Sequence, residues 1–152
     1  MPITFLGSIM DVKTGVFAYL TAAADTTITT ANNWYPINGI FVNDPFENFV
    51  VEDQDIVYTG PKRYMEVDGH ATVSVDSPVT EFFITVKKNT YVYEDEKMGT
   101  LAKSAGEPYA ASGTLVLEVD TGDTIQLVCT ADGNGDVLTM EHFVVSIRPF
   151  FN

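Results

Sequence analysis

The run Asp132-Gly133-Asn134-Gly135-Asp136 is the part of this 152-residue chain that comes nearest to a chemical motif. Carboxylates and a carboxamide at alternate positions can turn their oxygens onto one cation, as at the start of a twelve-residue calcium loop. A loop counted from Asp132 needs a bidentate glutamate at position 143, and Phe143 stands there. No helical pattern flanks the run. A tight glycine-rich hairpin accounts for the same residues, so no metal is expected. Cys129 is the single cysteine. It falls in phase with Ile125 and Leu127 and reads as a small buried hydrophobe with no base beside it. His70 adjoins Gly69 in what reads as a turn, and His142 lies in a semi-apolar strand. Neither has the cysteine or carboxylate spacing of a zinc site. Ser112-Gly113 stands in no nucleophile-elbow setting. Carboxylate pairs are plentiful because the chain has 21 Asp and Glu, and nothing in their spacing specifies glycoside hydrolysis. The expectation is a chain without catalytic residues or cofactor, whose function lies in its surfaces.

The elements that carry these residues read as short strands. Residues 82–86, 114–119, 124–129 and 138–147 alternate apolar and polar positions, and Asp120-Thr121-Gly122-Asp123 supplies a turn between two of them. Asn38-Gly39 and Asp68-Gly69 both carry the signature of two-residue hairpins, the second joining residues 64–67 to 71–75. Lys87-Lys88-Asn89 closes another strand. Residues 94–112 are rich in charge, Gly and Pro and read as a long connection across one end. Residues 16–20 form a strand, whereas 21–30 read as an extended arm because β-branched threonines oppose a helix. This reading divides the chain into an N-terminal segment, 1–30, and an all-β, antiparallel sandwich domain, 31–152. With hydrophobic residues at 45%, one proper core is expected.

Strict alternation through the last strand puts Leu138, Met140, His142, Val144, Ser146 and Arg148 on one face. Val137, Thr139, Glu141, Phe143, Val145 and Ile147 share the other. An outward face is ordinarily polar. Here Leu138, Met140 and Val144 are apolar, Phe83 breaks the polarity of its own strand's outward face, and Val116 does the same in its strand. A sheet with two apolar faces must cover both, and a second copy of the chain is the expected cover.

The formal net charge is −13, with no Lys or Arg between Lys13 and Lys62 or between Lys103 and Arg148. Nucleic-acid binding draws on clustered positive charge, as does binding to anionic membranes, so neither is expected. No stretch approaches a membrane span, and no basic region followed by an apolar run opens the chain. A soluble product without a signal peptide is expected.

Several segments in order resemble the C1q/TNF-like jelly-roll family. They are the aromatic stretch 34–41, Ile56-Val57-Tyr58-Thr59-Gly60, the strand that ends in Lys87-Lys88-Asn89, residues 113–119, Thr121-Gly122-Asp123-Thr124-Ile125, and 143–147. The resemblance implies a jelly-roll sandwich and a homotrimer with one sheet of each subunit around a three-fold axis. By position it makes Phe83, Leu138, Met140, His142 and Val144 candidates for the trimer interface. The acidic, cysteine-poor form is similar to members in tailed-phage virions, which decorate capsids or form fibre knobs. That implies a capsid decoration or cementing role on the outer surface, with the major capsid protein as partner and Ile3, Phe5, Ile9 and Lys13 in the attachment segment. The alternative is a receptor-binding or carbohydrate-binding knob using the aromatics Trp34, Tyr35, Tyr91, Tyr93 and Tyr109.

Overall fold

The structure, a computed structural model, describes residues 15–43 and 47–150. The candidate attachment residues Ile3, Phe5, Ile9 and Lys13 lie outside them. The described residues form β1 (Val16–Leu20), β2 (Ala24–Ile28), β3 (Tyr35–Pro36), β4 (Phe41–Asn43), β5 (Phe49–Glu52), β6 (Asp55–Tyr58), β7 (Arg63–Val75), β8 (Thr80–Lys88) and β9 (Tyr91–Val92). After a single 3₁₀ turn at Glu94–Glu96 come β10 (Met98–Ala102), β11 (Tyr109–Val119), β12 (Thr124–Ala131) and β13 (Asp136–Pro149).

All pairings are antiparallel. Sheet one runs β11-β7-β13-β1-β4, with β2 also on β13, and sheet two runs β10-β8-β12-β6-β5, with β3 on β12 and β9 on β8. Neighbours in each sheet are mostly distant in sequence, because the chain crosses repeatedly between the two layers. This is the sandwich expected from the alternation, with jelly-roll topology. The core between the sheets contains Ile28, Tyr58, Met65, Phe82, Ile84, Ile125, Leu138, Met140, Phe143 and Ile147, all essentially inaccessible to solvent. Burying each large apolar side chain contributes about 1.5–3 kcal/mol. Phe41 meets Phe143 edge-on at 5.8 Å, and Phe49 packs on Tyr58 at 5.0 Å.

Four local expectations are corrected. The division at residue 30 cuts through sheet one. Val16, Ala18 and Ile28 are core residues, and β2 pairs with β13 instead of forming an arm. Asp68-Gly69 is no hairpin, because residues 63–75 are one thirteen-residue strand. Gly69 sits mid-sheet between Gly113 and Val145, and Met98 crosses over both glycines. A β-carbon on Gly69 would lie 3.4 Å from Met98 Cε, and one on Gly113 3.1 Å from Met98 Cβ. The glycines make room for a side chain approaching from the other layer, not for a turn. Asn38-Gly39 joins β3 in sheet two to β4 in sheet one, so it is a crossing between layers. There the Asn38 backbone N–H donates to Thr26 Oγ1 (2.9 Å) and its Nδ2 to the Asp25 carbonyl (2.9 Å). Finally, residues 94–112 include β10 and the start of β11.

The two turn motifs that carried the family resemblance are joined to each other. Asn89, with φ at 54°, lies in the two-residue turn between β8 and β9. Its Nδ2 donates to Asp123 Oδ1 (3.0 Å), while its Oδ1 accepts the Thr124 N–H (3.0 Å). Asp123 Oδ2 also accepts the Asp120 N–H at 2.8 Å. Burial alone would raise the Asp123 carboxyl. The bonds from Asn89 and the Asp120 backbone, with the nearby Lys88 charge, outweigh it and hold the group below the ordinary carboxylate value.

Candidate subunit interface

The outer face of sheet one follows from the alternation of four strands. In β1, Val16 and Ala18 point into the core, and Phe17 and Tyr19 point out. The register then aligns Tyr19, Val144, His70 and Ser112 across β1, β13, β7 and β11. One step toward one end lie Phe17, Ser146, Asp68 and Thr114, and one step the other way lie His142, Thr72 and Ala110. Phe17 is 37% exposed, Tyr19 36% and Val116 43%. The Phe17 and Tyr19 rings touch at 6.2 Å. A shallow groove of about 340 Å³ runs between His70, Thr72, Ala110, Ser112, His142 and Val144. A solvated outer face would carry polar side chains at these positions. This one is mixed: Phe17, Tyr19 and Val144 form an apolar strip along β1 and β13, and His70, His142, Asp68, Thr72 and Ser112 lie beside it on β7, β13 and β11.

Charged groups border this centre and are mostly paired. Arg148 donates from Nε (3.1 Å) and Nη2 (2.5 Å) to Glu66 Oε1. Lys62 Nζ stands 3.0 Å from Glu118, whose carboxyl it holds below the usual range by hydrogen bonding. Toward the other end Ser74 Oγ donates to Glu141 (2.8 Å), and Thr139 Oγ1 to Asp25 (2.6 Å).

Of the five residues expected at an interface, this face holds His142 and Val144. Leu138 and Met140 are corrected to core residues, with no exposed surface in the single chain. The cause is a β-bulge between Met140 and His142. One extra residue, Glu141, reverses the phase of the strand. Leu138 and Met140 before it therefore point the same way as Phe143, Val145 and Ile147 after it. Phe83 is corrected as well. It belongs to sheet two, on the opposite side of the sandwich, and Lys97 Nζ lies 4.4 Å from its ring centre. Phe17 and Tyr19 were missed. Their signal was the reversed size pattern of Val16-Phe17-Ala18-Tyr19, in which the bulky aromatics share the face opposite the buried Val16 and Ala18.

The remaining candidates have structural roles. Burial pushes the Cys129 thiol up to about 12, against a weaker opposing pull from Thr26. Asp132 Oδ1 accepts the Glu81 N–H (3.1 Å), Asn134 Oδ1 the Ala31 N–H (2.7 Å), and the buried Asp136 a bond from Thr80 Oγ1 (3.3 Å). These side chains serve separate donors. Among the described residues no three His, Cys, Asp or Glu side chains converge. The aromatics that could serve a sugar do not make one platform. Tyr35, Tyr93 and Tyr109 pack partly against the core. The Tyr35 and Tyr109 hydroxyls accept backbone N–H bonds from Thr30 and Ser104, both at 2.9 Å. Trp34 Nε1 is held by Glu94 at 3.0 Å, and Tyr91, 63% exposed, stands edge-on to Tyr93.

No protein-family model and no curated protein sequence matches the chain. Solved structures do match it in shape. The chain is similar to the Eiger TNF of S. frugiperda, with TM-score 0.60 and 7% identity over 91% of this chain and 95% of that one. It is similar to the globular domain of zebrafish complement 1qA, with TM-score 0.56 and 13% identity over 91% and 98%. It is also similar to the PRD1 vertex protein P5, with TM-score 0.55 and 12% identity over 90% and 98%. Identities this low establish the fold and nothing finer. The chain has the C1q/TNF-like jelly-roll fold.

Proposed function

We propose that this chain is a non-catalytic knob that associates into a homotrimer through the outer face of sheet one and serves as a receptor-binding or carbohydrate-binding tip on the outside of a virus particle. The observation that carries the reading is the apolar strip of that face, the exposed Phe17 and Tyr19 with the half-buried Val144, bordered by mostly paired charges. Covering it with further copies removes exposed aromatics from water, which drives association in most symmetric oligomers. Likeness to a phage vertex protein supports the placement on a virion. The charge of −13 supports the outside of the shell, since an acidic lining would repel packaged nucleic acid. Three copies on one axis multiply a weak contact with a receptor or glycan into strong avidity.

A second reading, the capsid decoration or cementing trimer bound to the major capsid protein, rests on the same face and charge. Cryo-microscopy of intact particles separates the two. Density for this domain at fibre tips or vertices supports the knob, and density repeated over the capsid lattice supports the decoration. Purified protein should also block adsorption of particles to cells if it is a knob. Finding it inside the shell, or absent from virions, overturns both.

A further inference from the structure

The chain has only two histidines, and both stand on the outer face of sheet one. His70 lies opposite Val144, and His142 opposite Thr72, one alternation further along β7. The two imidazoles are thus diagonal cross-strand neighbours, about 7–8 Å apart at the backbone. They flank one groove with a floor of small side chains, Ala110 and Ser112 among them. Histidine is the side chain that takes up its charge between about pH 8 and pH 5.

Their surroundings differ. His70 Nε2 lies 3.4 Å from Asp68 Oδ2, so a charged His70 has a carboxylate waiting. His142 has no such partner among the described residues. On its own strand the adjacent Glu141 keeps its negative charge, but its Oε1 is turned to the Ser74 hydroxyl and it makes no ion pair with the imidazole. Thr72 of β7 and Ala110 of β11 face it across the sheet without charge. On the other flank the Asp25 carboxylate of β2 accepts from Thr139, and Tyr19 of β1 lies opposite Val144. Arg148 and Glu66 are engaged with each other toward the opposite end.

We propose that His142 makes assembly through this face pH-sensitive: neutral, it is covered by a second copy, and protonated, it disfavours that contact. The inference rests on the reading of this face as the subunit interface. A neutral imidazole can be desolvated at modest cost, whereas an imidazolium with no carboxylate resists burial. The covered state therefore favours the neutral form. Association is full above the range where free histidine titrates and is lost as the pH falls through it. Protonation also lowers the overall negative charge, which favours association. That long-range effect is screened beyond about 8 Å at physiological salt, but desolvation at the contact is not.

Sedimentation equilibrium at about pH 8 and about pH 5.5 in about 0.15 M salt tests the switch. Wild type, His142→Gln and His70→Gln are compared, with circular dichroism reporting that each stays folded. A one-unit depression from the ordinary histidine value is worth about fivefold per copy at about pH 5.5, so wild-type trimer association should fall by about two decades at the lower pH. His142→Gln should stay associated at both, and His70→Gln should retain most of the fall. Wild type equally associated at both pH values overturns the switch and leaves the interface standing. Wild type monomeric at both removes the interface and the switch with it. A His142→Gln variant that still dissociates in acid shows that the sensor lies elsewhere.

Discussion

Val144→Asp and Met140→Asp are four residues apart on one strand and should fail in different ways. Val144 is half-buried in the single chain, on the outer face between Tyr19 and His70. A carboxylate there reaches water, so the subunit should lose about 1 kcal/mol or less. In the assembly each copy would bury an uncompensated charge at about 3–5 kcal/mol. Three copies bring the cost to the order of 10 kcal/mol, about seven decades in the trimer association constant. Met140 has no exposed surface, and the bulge turns it into the core. Truncating such a side chain costs about 2–5 kcal/mol before any buried charge is added, against a total stability of about 5–15 kcal/mol. Size-exclusion chromatography with light scattering gives the mass, and circular dichroism the fold. Both belong near pH 8, away from the range in which histidine takes up its charge. The expected outcome is a folded monomer for Val144→Asp and an unfolded chain for Met140→Asp. A Val144→Asp trimer, or a folded Met140→Asp monomer, refutes the assignment of faces.

Gly99→Ala should cost about 2 kcal/mol or more in denaturant unfolding, because its β-carbon would collide with the Phe82 carbonyl oxygen and break the β8–β10 pairing. Gly69→Ala adds a methyl 3.4 Å from the movable end of Met98, beside a cavity of about 30 Å³, and should change stability by less than about 1 kcal/mol. Asp123 has a folded pKa below its unfolded value, so its contribution is present above about pH 4 and is lost as the pH falls through the folded value. Asp123→Ala should lower the melting temperature at neutral pH, and its gap to wild type should narrow as the pH falls through the folded value. Cys129, buried with its thiol pushed up to about 12, should resist a thiol reagent in the native protein and react once guanidinium unfolds the chain.

Much of the sandwich was legible because alternation and turn chemistry are local. Strands β8 and β12 and the turn Asp120-Thr121-Gly122-Asp123 lie close to where the pattern puts them. The errors came from contacts that no local pattern carries. Asp68-Gly69 has the chemistry of a hairpin, but Met98 in the other sheet is what requires a glycine there. In β13 the two apolar faces were a change of phase. Leu138 and Met140 belong to the core on one side of Glu141, and Phe143 and Val145 on the other. The candidate interface was therefore half legible. His142 and Val144 stood in the alternation, whereas Phe17 and Tyr19 lay in a segment whose pairing to β13 depends on contacts more than a hundred residues away.

The central claim, that the outer face of sheet one is closed by other copies of the chain, is tested most directly by native mass spectrometry of the purified protein at micromolar concentration near neutral pH. The account predicts a single dominant species at three times the 16.7 kDa chain mass. A spectrum containing only the 16.7 kDa species would contradict it.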